Sequence, residues 1–455
     1  MINNRYQILQ EIGSGGIGKV FKAVDSFDGN TVAIKILSNQ EPEHVERFKK
    51  EFLLLRKLHH PHIVKVYDFG FSDRGEPYFT MEHIEGKDWK EFLQPLDYSK
   101  FWFVILQICT TLDFLHSKRI IHGDLKPSNI LITNSPDGQL TLKFTDFGFA
   151  EYEKAKESIW WKGTLCYLAP EIIRGEQYNH QADLYSMGVL IYETLFGKRP
   201  FDEEQLTELA KSHLEKDVVI PEEPPLPTGL KNLILTLLEK DPIDRLFSAK
   251  EVSSEIEKIS GLEADVLKAR LGKNLILSSD LVGREKELSI LRKALNHAST
   301  GVSTLVLLSG ESGIGKTRVL EEFRAWAQVE GTSVAEVSLT NSESVRTFQE
   351  SISHLLEKIS QPLILTLEHL ELANDSAFEF LRDLILQTQN KKILVCMTVT
   401  NEFTRSEKDK RASEIEEKIS SIYGDGVIRI SLEKLTKAEG KRLLCSIFAW
   451  KEKEE

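Results

Sequence analysis

The chain has 455 residues, of which 41% are hydrophobic and 28% charged, and its formal net charge is −12. This length predicts two or three domains, and the acidic balance argues against a general nucleic-acid binder, which would usually carry a basic surplus. The cysteines lie far apart without a CxxC pair, so neither a disulfide framework nor a zinc site is expected; they are Cys109, Cys166, Cys396 and Cys445.

No signal peptide or membrane-spanning segment is predicted. The start, MINNRYQILQ, has no basic region followed by an apolar run. The longest apolar stretch, residues 101–115, is too short and too polar to cross a bilayer and is typical of a buried helix. The expected location is the cytoplasm, with no membrane partner and no nucleic-acid partner.

The predicted elements divide the chain into two dissimilar parts. Residues 1–80 alternate short strand patterns with turn residues, interrupted by a helical pattern over 43–58, and helical periodicity prevails from 97 to 259 with loops at 122–148 and 155–170. A polar stretch, residues 261–280, is interpreted as a linker. From residue 281 onward the order strand–loop–helix and the apolar runs TLVLLSG, SVAEVSL, PLILTLEHL and KILVCMTV predict an α/β domain.

The first motif is a glycine-rich loop between two strands. Residues 13–20 read GSGGIGKV, which places Gly13, Gly15 and Gly18 ahead of Val20. Glycines let backbone fold closely over a triphosphate where side chains would clash. Alone, the pattern fits a plain hairpin turn equally well.

A lysine and a glutamate are the next candidates. Lys35 ends the apolar strand pattern VAIK, and Glu51 lies on the following predicted helix. Lys35 would bind the α- and β-phosphates of ATP, and Glu51 would hold its ammonium group in place. The alternative for Glu51 is an ordinary surface charge, as expected for its neighbours Lys49 and Lys50.

The loop IIHGDLKPSN carries the predicted chemistry. Asp124 would accept the proton of an attacking hydroxyl, Lys126 would neutralise charge on the moving phosphoryl group, and Asn129 would bind Mg²⁺. Asp146, in the sequence DFG, would supply the carboxylate for the metal that bridges the β- and γ-phosphates.

With these motifs in this order, residues 1–260 resemble the protein kinase superfamily. The resemblance implies an N-lobe over 1–84 and a C-lobe over 85–260, ATP and Mg²⁺ as cofactors, and protein hydroxyls as substrates. The spacing DLKPSN and the sequence GTLCYLAPE favour serine and threonine over tyrosine. The further residues that it implies are Ile12, Met81, Glu82 and Ile84 near the nucleotide, Thr164 and Glu171 in the activation segment, and the structural residues Asp183 and Arg245.

Position 123 departs from the family pattern. Where these kinases usually have arginine before the catalytic aspartate, this chain has Gly123. That arginine pairs with a phosphorylated activation-loop residue in kinases that use it. Three interpretations stay open: a kinase not switched by activation-loop phosphate, an inactive pseudokinase, or compensation by nearby cations.

A second nucleotide motif follows the strand TLVLLSG. Residues 310–317 read GESGIGKT, so backbone around Gly310 and Gly315 would surround phosphates, Lys316 would reach the β- and γ-phosphates, and Thr317 would bind Mg²⁺. Together with VGREKEL, this region resembles the ATPase modules of signal-transduction NTPases. The alternative is a relic loop kept only as a turn.

The pair of acidic residues expected at the end of the neighbouring strand is incomplete. The strand PLILTLEHL ends in Glu368 and then His369, where relatives commonly have two acids. Glu368 either replaces the metal-binding aspartate or acts as the base. A slow ATPase or a nucleotide-held switch is therefore expected.

The predicted fold is thus an α+β bilobal protein kinase fold followed by an α/β P-loop NTPase domain over residues 281–455. That domain is expected to be truncated at its lid, as a fragment or as a naturally shortened protein. The main hypothesis is an active serine/threonine kinase regulated by a second ATP site, with oligomerisation through the NTPase module left open. The alternatives are a pseudokinase-like nucleotide-sensing scaffold and an ATPase with an accessory kinase.

Overall fold

The structure is a computed structural model, and it divides into two compact units. The first comprises Met1–Gln40, Tyr67–Met81 and Ser279–Glu455, and the second comprises Glu41–Val66 and Glu82–Ser278. The residues that it describes are 2–3, 5–15, 18–93, 96–134, 138, 140–148, 151–152, 165–261, 281–338, 362–373, 375–388, 390–400, 414–415, 417–421, 423 and 426–448.

The strands and helices are numbered in chain order. The strands are β1 Tyr6–Ser14, β2 Gly18–Asp25, β3 Thr31–Leu37, β4 Val66–Phe71, β5 Pro77–Glu82, β6 Lys87–Asp88, β7 Ile120–Ile121, β8 Ile130–Asn134, β9 Leu140–Phe144, β10 Glu151–Tyr152, β11 Thr304–Gly310, β12 Ser333–Ser338, β13 Leu363–Glu368, β14 Ile393–Thr400 and β15 Val427–Ser431. The helices are α1 Pro42–Lys57, α2 Trp89–Phe92, α3 Tyr98–Ser117, α4 Pro170–Ile173, α5 Gln181–Phe196, α6 Leu206–Glu215, α7 Thr228–Leu237, α8 Ala249–Ser260, α9 Glu285–Ser299, α10 Lys316–Val329, α11 Asp375–Thr388 and α12 Lys437–Phe448.

The N-terminal strands form one sheet in the order β1-β2-β3-β5-β4. Strands β1, β2 and β3 pair in antiparallel fashion, as their short glycine- and aspartate-containing connections require. One face packs a cluster of buried residues that includes Tyr6, Ala23, Ile34 and Tyr78. This sheet was expected from the alternation of strand and turn patterns in residues 1–80.

The parallel sheet of the first unit has the order β12-β13-β14-β11-β15. Its strands are continuous apolar runs because helices cover both faces of such a sheet. Alternate residues of β11 serve opposite faces: Leu305 and Leu307 join one buried cluster, and Val306 and Leu308 join the other. The predicted α/β order is therefore observed, with β15 as an additional strand at one edge.

Helix α10 links two parts of the first unit. It begins at Lys316, directly after the glycine-rich loop, and ends at Val329. Near its last turn, the side-chain amide of Gln328 donates to a carboxylate oxygen of Asp68 at 2.7 Å. The other oxygen of Asp68 accepts from Tyr6 at 3.1 Å and lies 2.9 Å from Arg5.

The second unit is mainly helical, as predicted, and its longest helices are apolar on nearly all sides. Helix α3 buries residues such as Phe101, Ile105 and Leu112, and α5 is buried along most of its length. Helices of this kind belong to the interior of a domain.

One prediction for this unit was wrong. Residues 122–148 were predicted as a loop but contain β8 and β9, which pair from Ile130 with Phe144 to Asn134 with Leu140. These five-residue strands alternate apolar and polar residues, but they are too short to dominate a window that is otherwise polar.

Among the described residues, no helix combines the length and the hydrophobicity that crossing a bilayer would require.

Candidate functional site

The loop after β7 is held by a buried aspartate from α5. The carboxylate of Asp183 accepts from the backbone N–H groups of His122 and Gly123, both at 2.9 Å, and lies 2.8 Å from the Nε2 atom of His116. Burial opposes ionisation of Asp183, but the hydrogen bonds and the positive partial charges around it lower its pKa. An ionised, fully buried carboxylate thus fixes the backbone that precedes Asp124.

The side chains of Asp124, Lys126 and Asn129 converge at this loop. The Nζ atom of Lys126 lies 2.6 Å from Oδ2 of Asp124, and the amide nitrogen of Asn129 donates to the same oxygen at 2.9 Å. The amide of Asn129 also donates to the backbone carbonyl of Asp124 at 2.9 Å. The sequence predicted these three residues, and the structure brings them together.

The environment of Asp124 favours proton transfer. Its side chain is almost fully buried, and burial raises its pKa, although the adjacent Lys126 opposes the shift. A carboxylate with a raised pKa is a better proton acceptor than an exposed one, and the adjacent lysine limits the rise.

The Asp146 segment lies in the same unit. The backbone N–H of Gly148 donates to Oδ1 of Asp146 at 3.0 Å, and that of Phe147 donates to Glu51 of α1 at 3.4 Å. The ring of Phe147 packs against His122 at 4.8 Å between centroids. The segment of Asp146 therefore contacts the loop of Asp124 through the ring of Phe147. Carboxylate and amide oxygens such as those of Asp146 and Asn129 are the ligands that Mg²⁺ prefers.

A buried ion pair stabilises the C-terminal part of the activation segment. The two terminal guanidinium nitrogens of Arg245 donate to the carboxylate of Glu171, at 2.7 and 2.8 Å, and both residues are almost fully buried. The bidentate geometry satisfies both charges, which is a requirement for a buried pair. The sequence resemblance implied both residues, Glu171 in the activation segment and Arg245 as a structural residue. Thr164, the other residue predicted in this segment, lies outside the described residues.

The glycine loop of the first unit has one position where a side chain cannot fit. A Cβ atom on Gly18 would lie 2.3 Å from the backbone oxygen of Ile36. Across the turn, the N–H of Gly15 donates to the carbonyl of Gly18 at 2.9 Å. Gly13 has ordinary contacts, so the close approach that requires glycine is at Gly18.

The remaining predicted nucleotide residues of the N-terminal sheet are placed on its strands. Lys35 is buried in β3, and its Nζ atom lies 5.7 Å from the centroid of the Phe79 ring. Met81 is buried near the end of β5. Ile12 is exposed, and Val20 is half-buried.

In the second unit, Glu82 is the last residue of β5 and Ile84 follows the strand; both are partly buried. The carboxylate of Glu82 accepts from Lys143 at 2.8 Å, and the backbone N–H of Glu82 donates to the carbonyl of Lys65 at 2.8 Å. Glu82 is thus anchored by both its side chain and its backbone.

The GESGIGKT loop joins β11 to α10, as predicted. Gly313 and Gly315 have φ values of 76° and 103°, which strongly favour glycine. The Nζ atom of Lys316 donates to the carbonyls of Gly310 and Glu311, at 2.8 and 2.9 Å, so the lysine curls over the loop. Burial lowers the pKa of Lys316.

Glu368 lies beside this loop at the end of β13. Its Oε2 atom accepts from the hydroxyl of Thr317 at 2.7 Å, and its Oε1 atom lies 3.7 Å from the guanidinium of Arg324 on α10. Glu368 and Thr317, both predicted for this site, are therefore in contact. The hydroxyl contact places Glu368 next to the position that a metal on Thr317 would take.

Two arginines near this loop were not predicted. Arg284, from VGREKEL, is buried and donates to the backbone carbonyl of Ile314 at 3.1 Å. Arg324 is also buried and donates to the hydroxyl of Thr366 at 3.1 Å. The quoted VGREKEL run was a signal for Arg284, whereas Arg324 lies in an ordinary helical pattern that gives no indication of its role.

The site and fold agree with the comparisons with known proteins. A protein kinase domain model matches residues 6–255, and the chain belongs to the protein kinase family. An AAA ATPase domain model matches residues 280–338. The predicted fold class, a kinase domain followed by a P-loop α/β domain, is confirmed, and ATP is the nucleotide that both domains imply.

The similar curated proteins are bacterial serine/threonine kinases. The chain is 34% identical over 277 residues to serine/threonine-protein kinase PrkC of Bacillus subtilis, covering 58% of this chain and 42% of PrkC. It is 32% identical over 287 residues to serine/threonine-protein kinase A of Synechocystis, covering 58% of this chain and 54% of that protein. The chain thus spans about half the length of these relatives or less.

Proposed function

We propose that this chain is a serine/threonine protein kinase that transfers the γ-phosphoryl group of ATP to protein hydroxyls. The observation that carries the proposal is the group formed by Asp124, Lys126 and Asn129, whose contacts lie between 2.6 and 2.9 Å. The names of the similar bacterial proteins support it. The domain limits that accompany the proposal are a kinase domain over 1–260, a linker over 261–280 and a nucleotide-binding module from 281 onward.

Each residue of this group has a role in the proposed reaction. Asp124 accepts the proton of the attacking hydroxyl, and Lys126 stabilises the charge on the phosphoryl group. Asn129 and Asp146 would hold Mg²⁺, which would supply positive charge to neutralise the phosphates. In the N-terminal sheet, Gly13, Gly15 and Gly18 cover the phosphates and Lys35 binds them.

Substitution of Asp124 tests this proposal. Asp124→Asn keeps the shape of the side chain and the contact with Asn129 but removes the proton acceptor, so phosphotransfer to a generic protein acceptor should fall by at least about 10²-fold. The measurement is transfer of labelled phosphate with identification of the phosphoamino acid, which should be phosphoserine or phosphothreonine.

The matched control is Asp113→Asn, at an exposed position of α3. It removes the same charge from the same unit and should retain activity. Equal activity of Asp124→Asn and wild type would contradict the proposal and favour the alternative, a nucleotide-sensing scaffold.

We also propose that the second nucleotide site binds Mg-ATP and regulates the kinase. The contact between Thr317 and Glu368 supports a metal position beside the loop, and the Nζ atom of Lys316 donates to the carbonyl of Gly310 in the same loop. A cytoplasmic location and protein substrates belong to the same proposal.

A further inference from the structure

The AAA-type module contains a second acidic residue, Glu371, three positions after Glu368. After β13, His369 adopts a φ of 64°, and a short 3₁₀ turn over Leu370–Leu372 follows. This turn places Glu371 so that its Oε1 atom accepts from the hydroxyl of Thr400 at 2.8 Å and lies 3.2 Å from the Nδ1 atom of His369. The other oxygen of Glu371 accepts from the backbone N–H of Thr400 at 3.3 Å.

These contacts hold Glu371 at the edge of the sheet where the glycine-rich loop begins. Thr400 is the last residue of β14, and it is paired in register with Gly310, the last residue of the adjacent parallel strand β11. The Nζ atom of Lys316 donates to the carbonyl of Gly310. Burial lowers the pKa of Lys316, and the negative charge of Glu371 opposes that shift. The strand ends that hold the carboxylate and precede the lysine are therefore neighbours at the same edge of the sheet.

The carboxylate of Glu368 contacts other groups. Its two oxygens face the Thr317 hydroxyl and the Arg324 guanidinium. The next residue, His369, has a half-exposed side chain and cannot provide a carboxylate. ATP hydrolysis benefits from two functions, a metal ligand and a group that accepts a proton from water.

The second function requires an ionised carboxylate. Burial disfavours the charged form of Glu371, but hydrogen bonds that include those from Thr400 and His369 outweigh burial and lower its pKa. The carboxylate is therefore ionised at neutral pH, and its contacts orient it.

We propose that Glu371 is the catalytic carboxylate of ATP hydrolysis in this module, while Glu368 serves the metal. This inference depends on the proposed nucleotide site. The oxygen of a water molecule forms a bond to the γ-phosphorus, and the bond from that phosphorus to the β,γ-bridging oxygen breaks. The water proton passes to Glu371 and then to solvent, and ADP and inorganic phosphate leave.

The variant Glu371→Gln separates this role from a structural one. Glutamine can keep one of the two hydrogen bonds from Thr400 through its single carbonyl oxygen, but it is a negligible proton acceptor. The full chain carrying Asp124→Asn, which suppresses turnover at the kinase site, is the background for all measurements. Single-turnover phosphate release and Lys316-dependent binding of fluorescent Mg-ATP are measured.

The expected result is a loss of at least about 10²-fold in phosphate release with unchanged nucleotide binding. Glu368→Gln should instead weaken the Mg²⁺-dependent part of binding. The matched control Glu379→Gln, at an exposed position of α11, should alter neither quantity.

The other outcomes overturn the inference in distinguishable ways. Phosphate release at the wild-type rate in Glu371→Gln shows that Glu371 is not catalytic. Lys316-dependent binding without any release by the parent chain also overturns the inference but leaves the nucleotide site in place, whereas loss of all Lys316-dependent binding in the parent chain contradicts both proposals.

A second variant covers the case in which Glu371→Gln also disturbs binding. Thr400→Val removes the hydroxyl that orients the carboxylate and should slow phosphate release at unchanged affinity. An unchanged rate in Thr400→Val would overturn the inference as well.

Discussion

At the scale of single residues, Gly123 combines a chemical and a conformational property. It has a φ of 72°, a region that L-residues with a Cβ atom adopt only at a cost, and its N–H is bound to the buried Asp183. Glycine therefore satisfies the backbone geometry that the aspartate imposes without strain. The same residue offers no cation to an activation-loop phosphate.

We predict that Gly123→Ala lowers the free energy of unfolding by about 1–2 kcal/mol, because alanine is strained at this φ. Gly123→Asn should cost less, since asparagine tolerates left-handed conformations better. Denaturant unfolding of the full chain measures the difference. It is followed by tryptophan fluorescence, to which Trp89 and Trp102 of the second unit contribute. Equal stability of wild type and Gly123→Ala would show that the loop relaxes to another conformation.

The sequence identified site residues where a motif repeats a known arrangement. Asp124, Lys126 and Asn129 lie within six residues of one another, so their proximity was largely determined by local sequence. Arg284, Arg324 and Glu371 were not assigned roles because their partners, Ile314, Glu368 and Thr400, lie on other elements. Contacts of that kind depend on the packing of strands and helices and have no signature within a short window.

At the scale of elements, the segment between α1 and β4 contains two buried histidines. Burial lowers the pKa of His60 to about 3 and that of His62 to about 4, with Lys143 nearby reinforcing both shifts. His60 stacks on Phe114 of α3 with centroids 4.7 Å apart, and His62 lies 3.1 Å from the carbonyl of Leu142 in β9. The neutral imidazoles of His60 and His62 thus connect this segment to α3 and to the β8–β9 hairpin.

We predict that these histidines destabilise the fold in acid. Their folded-state pKa values lie below the unfolded value of about 6.5, so the unfolded chain binds more protons once the pH falls below that value. The free energy of unfolding should decline from pH 6.5 towards pH 4, with each histidine contributing about 1.4 kcal/mol per pH unit.

The measurement is chemical denaturation between pH 7.5 and pH 5, a range chosen to span the unfolded value of about 6.5. His60→Asn should reduce the dependence on pH by about one proton, whereas His59→Gln, at the exposed neighbouring position, should change it little. An identical slope in wild type and His60→Asn would mean that His60 is protonated in the folded state.

The elements themselves could be predicted where their patterns were long. Helix α1 begins and ends within one residue of the predicted 43–58, and all four predicted strands of the parallel sheet are present. The β8–β9 hairpin and β15 were not predicted because strands of five residues give little periodic signal.

At the scale of the whole molecule, the two nucleotide sites are expected to be catalytically independent. Asp124, Lys126, Asn129 and Asp146 and the residues that position them all precede residue 261. We predict that Lys316→Ala removes nucleotide binding at the AAA-type module but leaves phosphotransfer in place, with a regulatory change of about 5- to 150-fold at most. Phosphotransfer and Lys316-dependent nucleotide binding are measured on the same full-length samples.

Arg318→Ala is the control, because it removes from the same helix a cation whose guanidinium forms ion pairs with Glu321 and Glu322. It should leave both quantities close to those of wild type. Complete loss of phosphotransfer in Lys316→Ala alone would refute the independence of the two sites.

The bond from Gln328 to Asp68 has a practical consequence for anyone who shortens the chain. Helix α10 rises about 18 Å between Lys316 and Gln328. The helix therefore connects the phosphate-binding loop at its start to strand β4, through the hydrogen bond from Gln328 to Asp68. A chain cut before residue 281 exchanges the amide on Asp68 for water, and this changes the hydration of the ion pair that Asp68 forms with Arg5. Hydrogen–deuterium exchange along β1 and β4 should therefore differ between the shortened and full-length proteins, and ligand screens run on the former would sample a differently hydrated sheet.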